Sequence, residues 1–495
     1  MHMATTYKNT VVMYDRTDFG ASQLRLPNGR CRDNPKDLKL THDCWAHSIE
    51  YNIDTSNLRA LMVMTDTWCS SGAFAANGTL ISTGGYNDGG NAIRYFVPCA
   101  NSACDWYDSD PYGLKGYRWY ASNQILPDNR IIVVGGTGSF SYEFVPGVQA
   151  YALPFLSQTN TPGVQNNLYP FLHLSSDGNL FIFANMDSIL FDYINNRVVK
   201  TFPTIPDGPR NYPSTGSSVM LPLSASDGFQ RIEILICGGA PENGYAAAQA
   251  SNFVEALQSC GRIFITDPNP SWAMETMPAP RVMGDMLILP NGEILIINGA
   301  QKGTAGWGYG TSPALAPYLY RPNASSGKRF TVLGGSTIPR MYHSTANVLP
   351  DGRIFVGGSN PNYGYVFSGV PFPTELRLEA YNPYYLDKSY STLRPTIIST
   401  DSMRYGQEFR VRFYVSNYSP SKIQFNIYAP SFTTHSTSMN QRLLMLAARS
   451  TKRVKGIYVA KVTAPPNSIA APRGYYMVFV VNDGIPSVGK WINFS

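Results

Sequence analysis

Short apolar runs, each opened by a turn and closed by small residues, recur along most of the chain: "NGTLISTGG", "PDNRIIVVGG", "SDGNLFIFAN", "RIEILICGG", "PNGEILIING" and "PDGRIFVGG". They end at Gly85, Gly136, Asn185, Gly239, Gly299 and Gly358. The spacing of roughly 50 to 60 residues is that of a kelch-type propeller blade. Each repeat predicts a four-stranded antiparallel sheet whose paired glycines let backbones approach closely near a central axis. Six blades are visible, and a seventh, closed by an N-terminal strand such as "TVVMYDR", is expected.

After "YNPYYLDKSYSTLRPT" the glycine pairs stop and alternating strands follow: "FRVRFYV", "KIQFNIYA", "GIYVAKV" and "YYMVFVV". Their number and spacing predict an immunoglobulin-like sandwich. The expected architecture is therefore all-β, a seven-bladed kelch-type β-propeller over residues 1–390 followed by an immunoglobulin-like β-sandwich over 391–495.

Composition agrees. Hydrophobic residues make up 43% of the 495 and charged residues 15%, with Gly 43, Pro 36 and Tyr 32, which suits turn-rich, aromatic-rich strands. The longest apolar run, "YYMVFVV", is far too short to span a bilayer. A formal charge of +6 without any basic run argues against nucleic acid and leaves at most a weak preference for acidic polysaccharide. The opening Met-His-Met reads as an appendage standing where a leader has been removed. Of seven cysteines, Cys99 with Cys104, Cys31 with Cys44 and Cys237 with Cys260 form a plausible disulfide set among many pairings, leaving Cys69 over. With sequons at Asn77, Asn323, Asn417 and Asn493, the chain reads as secreted into an oxidising compartment.

The chemistry-bearing candidates are few, because there are only six histidines. Tyr342 and His343 are neighbours just before a hairpin, and neighbours share a site only where a strand ends or bends; elsewhere one is buried and the other exposed. His435, in "APSFTTHSTSMNQR", belongs to a loop or hairpin tip, where a solvated imidazole is the ordinary outcome. His47 and His173 read as core or turn residues, His42 lies near a cysteine loop, and His2 belongs to the appendage. Cys69 follows Trp68 at the start of a blade, where a buried free thiol is common. Tyr120 precedes its "LPD" turn much as Tyr342 precedes its own.

Through "TDTWCSSGA", "RWYASNQILPD", "NNLYPFLHL", "NYPSTGSS", "PRVMGDM", "PRMYHS" and "APSFTTHS", the chain resembles the copper-radical oxidases, galactose oxidase and glyoxal oxidase, and most closely their plant glyoxal-oxidase-like branch. The resemblance covers essentially the whole chain. It implies one Cu(II) held by Tyr120, Tyr342, His343 and His435, and a Cys69–Tyr120 thioether that carries a protein radical. Imidazole and phenolate are apt donors for Cu(II). Tyr342 is implied as general base, and Trp45 as an indole stacked over Tyr120, the alternative for Trp45 being an ordinary core or disulfide-flanking residue; Arg118 and Arg340, each two residues before a proposed ligand tyrosine, read as residues supporting the ligands or as surface residues. The implied reaction oxidises an aldehyde hydrate or primary alcohol, or a galactose hydroxyl of cell-wall polysaccharide, while O2 becomes H2O2. The implied form is a monomer. A non-catalytic kelch propeller that binds glycan or protein is the alternative, and the absence of an "SxDxGxTW" repeat speaks against a propeller glycosidase.

Overall fold

The computed structural model describes residues 1–101, 103–108 and 113–494. The sequon at Asn493 ends on Ser495, outside the described residues. Six consecutive sheets begin with the inner strands Ser71–Phe74, Ala121–Ile125, Phe171–Leu174, Ser217–Met220, Asp285–Ile288 and Thr345–Val348. Five of them are four-stranded; the last has three strands. The turn chemistry is the same throughout. Asn77, Asp128, Asp177, Asn291 and Asp351 each accept from the backbone N–H two residues on, at 3.0 to 3.2 Å. The intervening residue, usually glycine, takes a left-handed conformation, so the side chain closes the turn and Gly or Asn accommodates it.

The seventh sheet differs from expectation. It is not closed by one N-terminal strand: four N-terminal strands, His2–Thr6, Thr10–Tyr14, Ser48–Asn52 and Leu58–Leu61, make the blade, and a hairpin from the C-terminal unit extends the sheet beyond the innermost of them. Met-His-Met is consequently no appendage. His2 and Met3 open the inner strand and are fully buried.

The glycine pairs do what their spacing implies. A Cβ on Gly84 would sit 2.0 Å from the carbonyl oxygen of Arg118, and one on Gly238 would sit 2.2 Å from that of Arg281. The arginines explain the closeness. Arg94, Arg118, Arg210 and Arg340 are buried, and each donates from Nη1 to a glycine-pair carbonyl: Gly84, Gly135, Gly238 and Gly358, at 2.7 to 2.9 Å. Arg118 also pairs with buried Glu143 at 2.7 Å, and Arg340 with Glu379 at 2.6 Å. Of the two readings of Arg118 and Arg340, burial excludes the surface one: they pin successive turns of the propeller together. Arg118→Met should leave the Glu143 carboxylate buried without its counter-ion, held only by the N–H groups of Lys115 and Gly116, lowering stability by about 3–5 kcal/mol. A denaturant midpoint indistinguishable from wild type would contradict that role.

The C-terminal sandwich packs the sheet of Thr396–Thr400, Glu408–Tyr414, Ile457–Thr463 and Ala448–Val454 on a second sheet centred on Ile423–Ala429 and Gly474–Asn482. Glu408–Tyr414 alternates strictly, with Phe409, Val411 and Phe413 inward. Gly474–Asn482 is buried almost throughout, because Phe425, Ile427, Val478 and Val480 share one core with Phe181, Phe183, Ile234 and Ile236 of the blades. All three expected disulfides are present.

One feature of this second unit organises the whole molecule. Its hairpin Phe432–Thr434/Thr437–Met439 pairs with the N-terminal inner strand, Met3 opposite Thr433 and Ala4 opposite Phe432. It also touches the inner strands of the six other sheets, so it runs along the propeller axis.

Candidate metal centre

The sheets converge at their inner-strand starts, and there the backbone is unusual. Cys69, Tyr120, Tyr169, Thr215, Met283 and His343 all adopt φ between 41° and 67°, one or two residues before an inner strand. Left-handed non-glycine residues are uncommon and concentrate at functional sites. Hydrogen bonds link several of these turns around the axis: Tyr120 N to Cys69 O at 3.0 Å, Tyr169 N to Tyr120 O at 2.9 Å, and Met283 N to Thr215 O at 2.8 Å. From below, the axial hairpin ends in a two-residue turn with His435 at φ 46° and Ser436 at φ 64°, the paired left-handed geometry of a tight hairpin.

His435 is thereby lifted into the ring of blade turns. Its Nδ1 lies 2.7 Å from Thr434 Oγ1 and its Nε2 3.2 Å from Cys69 Sγ. Its ring is 4.9 Å from His343, 5.6 Å from Tyr342 and 5.9 Å from Tyr120, centroid to centroid. Tyr342 packs on His343 at 4.0 Å. Their neighbourhood in sequence survives in space because the chain bends there: His343 is left-handed and the strand begins only at Thr345. Cys69 and Tyr120 share one core cluster and a backbone hydrogen bond, Tyr120 N donating to Cys69 O at 3.0 Å. So five of the residues singled out in the sequence meet in one buried cluster.

Trp45 does not join them. It bridges to Arg25, whose guanidinium lies 4.4 Å from the indole, beside the Cys31–Cys44 disulfide. The rings against Tyr120 are instead Tyr212, stacked at 4.4 Å and 28°, and Trp119 at 4.8 Å. Proximity to Cys44 in sequence kept Trp45 in the disulfide-bearing excursion and away from the axis.

Sequence reasoning missed Tyr212. Its hydroxyl stands between the two tyrosines, accepting from Tyr120 Oη at 3.2 Å and sharing a hydrogen bond with Tyr342 Oη at 2.9 Å. The available signal was the echo of "LYP" in "NYP": Tyr169 and Tyr212 both precede a proline just before an inner strand. Tyr169 Oη donates to Ser70 O at 2.9 Å, with its ring 5.0 Å from His435.

Burial dominates the electrostatics. It raises the phenols of Tyr120 and Tyr342 well above their ordinary range, helped by Cys69 and the neighbouring phenols. It pushes His343 and His435 well below theirs. The cluster is thus neutral and offers unprotonated imidazole. Neither ring nitrogen of His343 has a hydrogen-bond partner, although both are buried. Atoms of Cys69, His343 and His435 suited to a metal lie within 4.8 Å of one another. Two neutral imidazoles with two buried phenols, with the Asp15 carboxylate 3.8 Å from His343 Nδ1, fit Cu(II).

Comparison with known proteins agrees with this geometry. Residues 1–385 match the family model described as glyoxal oxidase N-terminus, and residues 394–494 that of the galactose oxidase-like, Early set domain. Aldehyde oxidase GLOX of Vitis pseudoreticulata is 47% identical over 99% of this chain and 94% of its own length. Aldehyde oxidase GLOX1 of Arabidopsis thaliana is 45% identical over 98% of this chain and 80% of its own. A fungal alcohol oxidase of the AA5 family, solved in complex with copper, superposes with a TM-score of 0.74 at 19% identity, covering 100% of this chain and 96% of that one; this likeness concerns the fold. The chain belongs to the glyoxal oxidase family, with a galactose oxidase-like Early set domain at its C-terminal end.

Proposed function

We propose that the protein is a copper-radical oxidase that converts a small aldehyde, as its hydrate, or a primary alcohol, and reduces O2 to H2O2. The reading rests chiefly on the meeting of Cys69, Tyr120, Tyr342, His343 and His435 in one buried cluster, with both His343 ring nitrogens free of hydrogen bonds. Copper held by Tyr120, Tyr342, His343 and His435, together with a Cys69–Tyr120 thioether radical, supplies the two oxidising equivalents that the reaction consumes.

The chain's own groups do the rest. Tyr342 takes the proton of the substrate hydroxyl as general base. Tyr212, hydrogen-bonded to both Tyr120 and Tyr342, holds the two oxygens in register and carries protons between them. Thr434, at 2.7 Å from Nδ1, fixes the orientation of His435, so Nε2 faces the centre. The division of labour follows the proposed domains: 1–390 brings the tyrosines, Cys69 and His343, and 391–495 brings His435. Aldehydes and small alcohols are favoured over a polysaccharide hydroxyl by the aldehyde oxidase relatives. Secretion is supported by the three disulfides. Among the described residues no helix is long and apolar enough to cross a membrane.

Peptide mass mapping before and after aerobic copper loading tests the reading. The expected result is a new fragment joining the Cys69 and Tyr120 peptides, lighter by two hydrogens than their sum. Separate, unmodified peptides after verified copper uptake would remove the radical cofactor and leave a propeller that binds without turnover.

A further inference from the structure

Five aromatic rings run in contact from the buried cluster to solvent. Tyr120 lies 4.8 Å from Trp119, and Trp119 lies 4.9 Å from Trp68. Trp68 stacks on Trp307 at 5.3 Å and 15°, and Trp307 meets Tyr363 edge-on at 4.9 Å. The series ends in the open, because Tyr363 is 69% exposed. No metal-centre role requires Trp307 or Tyr363, and packing alone would not call for an oxidisable ring at every step.

A second observation bears on what these rings can do. The indole N–H groups of Trp68, Trp119 and Trp307 are all buried with no hydrogen-bond partner. Buried indoles usually find an acceptor. An indole without one has nowhere to send its proton when it loses an electron, so the electron vacancy moves to the next ring and is not trapped as a neutral radical. The Arg16 guanidinium lies 3.5 Å from the Trp68 ring centroid, with its charge matched by a bidentate pair with Asp18. A cation there makes Trp68 harder to oxidise, so the vacancy does not rest on it.

We propose that Tyr120, Trp119, Trp68, Trp307 and Tyr363 form a one-electron relay. Through it an outer-sphere one-electron oxidant at the surface withdraws an electron from the buried site. The inference rests on the reading of Tyr120 as the radical tyrosine. The step balances: the oxidant gains one electron and Tyr120 loses one. Where Tyr120 still carries its proton, that proton passes along its hydrogen bond to Tyr212. Tyr212 in turn hands its own to Tyr342, the proposed base, which would be a phenolate with copper bound. The relay gives the enzyme a way to be returned to its working oxidation state by a redox partner that touches only the exposed Tyr363 end.

The test uses the copper-loaded full chain with hexacyanoferrate(III) as probe, followed by stopped-flow bleaching of the probe and by its stoichiometry. Trp307→Phe removes an oxidisable ring and keeps an aromatic shape; Tyr363→Leu alters only the exposed end and is the safer variant for folding. Both should retain copper and peroxide release on a small aldehyde. Oxidation by the probe should slow by more than about tenfold in Trp307→Phe, a barrier increase of about 1.4 kcal/mol or more, and measurably in Tyr363→Leu. Wild-type rates in both variants would overturn the relay and leave the proposed function standing. A wild-type protein that takes up no oxidising equivalent after verified copper loading would overturn the Tyr120 reading, and the relay with it.

Discussion

Replacing Tyr342 with Phe should cut peroxide release on a small aldehyde by about 10²–10⁴-fold, the usual contribution of a positioned general base. The substitution removes one oxygen and leaves the ring, which packs at 4.0 Å on His343 and 5.6 Å from His435. The two imidazoles and Tyr120 should therefore still take up copper, with reduced affinity. The loss should appear in kcat more than in KM, because a proton transfer is made only on the way to the transition state. Tyr212→Phe supplies the control. It breaks the hydrogen bonds at 3.2 and 2.9 Å to the two tyrosines but touches neither proposed ligand role, so a milder loss of about tenfold is expected. Peroxide release unchanged in Tyr342→Phe would end the assignment of this residue as base. Equal collapse in both variants would mean that the hydrogen-bonded row acts as a unit.

What could be read from the sequence follows from how local each determinant is. The blades were legible because their turns are written in adjacent residues: an Asn or Asp that accepts from the N–H two positions on, a left-handed residue between, then an apolar strand. The N-terminal blade was misread for the complementary reason. "HMATT" and "TVVMY" carry no glycine pair, and a His between two methionines looks extraneous until the inner strand is seen to close the ring. The buried arginines escaped because arginine is ordinarily a surface residue. Only the folded propeller brings the Gly135 and Gly358 carbonyls to Arg118 and Arg340.

At the centre, the residue types were recoverable but the supporting contacts were not. Tyr342 and His343 announce themselves by standing together before a hairpin. The stacking of Tyr212 on Tyr120 joins residues 92 apart, and the approach of His435 to Cys69 joins residues 366 apart. No period or spacing encodes either. Both depend on a hairpin from the second unit threading the first.

The stability of the metal-free protein should peak near pH 6.5 and fall on both sides, and the steepness follows from groups buried in the wrong ionisation state for water. On the acid side stand four histidines. Burial pushes His2 and His173 down to about 3, and His343 and His435 well below their ordinary value. As pH drops through about 6.5 the unfolded chain binds four protons that the folded chain refuses. Their stabilisation is therefore complete above that pH and is lost as pH falls. Two carboxyls act oppositely. Burial raises Asp66 to about 8, with Asp18 adding to it, and Asp285 to about 7. The folded chain keeps these two protons where the unfolded chain has released them, so their contribution is present at low pH and is lost as pH rises towards those values.

Between about pH 4 and 6.5 the four histidine protons outweigh the two carboxyl protons by two, a slope of about 2.7 kcal/mol per pH unit favouring unfolding as acid is added. Just above pH 6.5 only the carboxyls remain, and the slope reverses. Urea unfolding between pH 4.5 and 8 in the presence of chelator measures both limbs. Two substitutions far from the proposed ligands separate them. His173→Gln, which can keep the hydrogen bond to Ser218, should halve the acid slope, and Asp285→Asn, still facing Asn298, should reduce the alkaline one to the share carried by Asp66. Stability that is level across this range would show that these groups ionise in the folded protein as they do in water, and with that the neutral, cation-seeking character ascribed to His343 and His435 would fall.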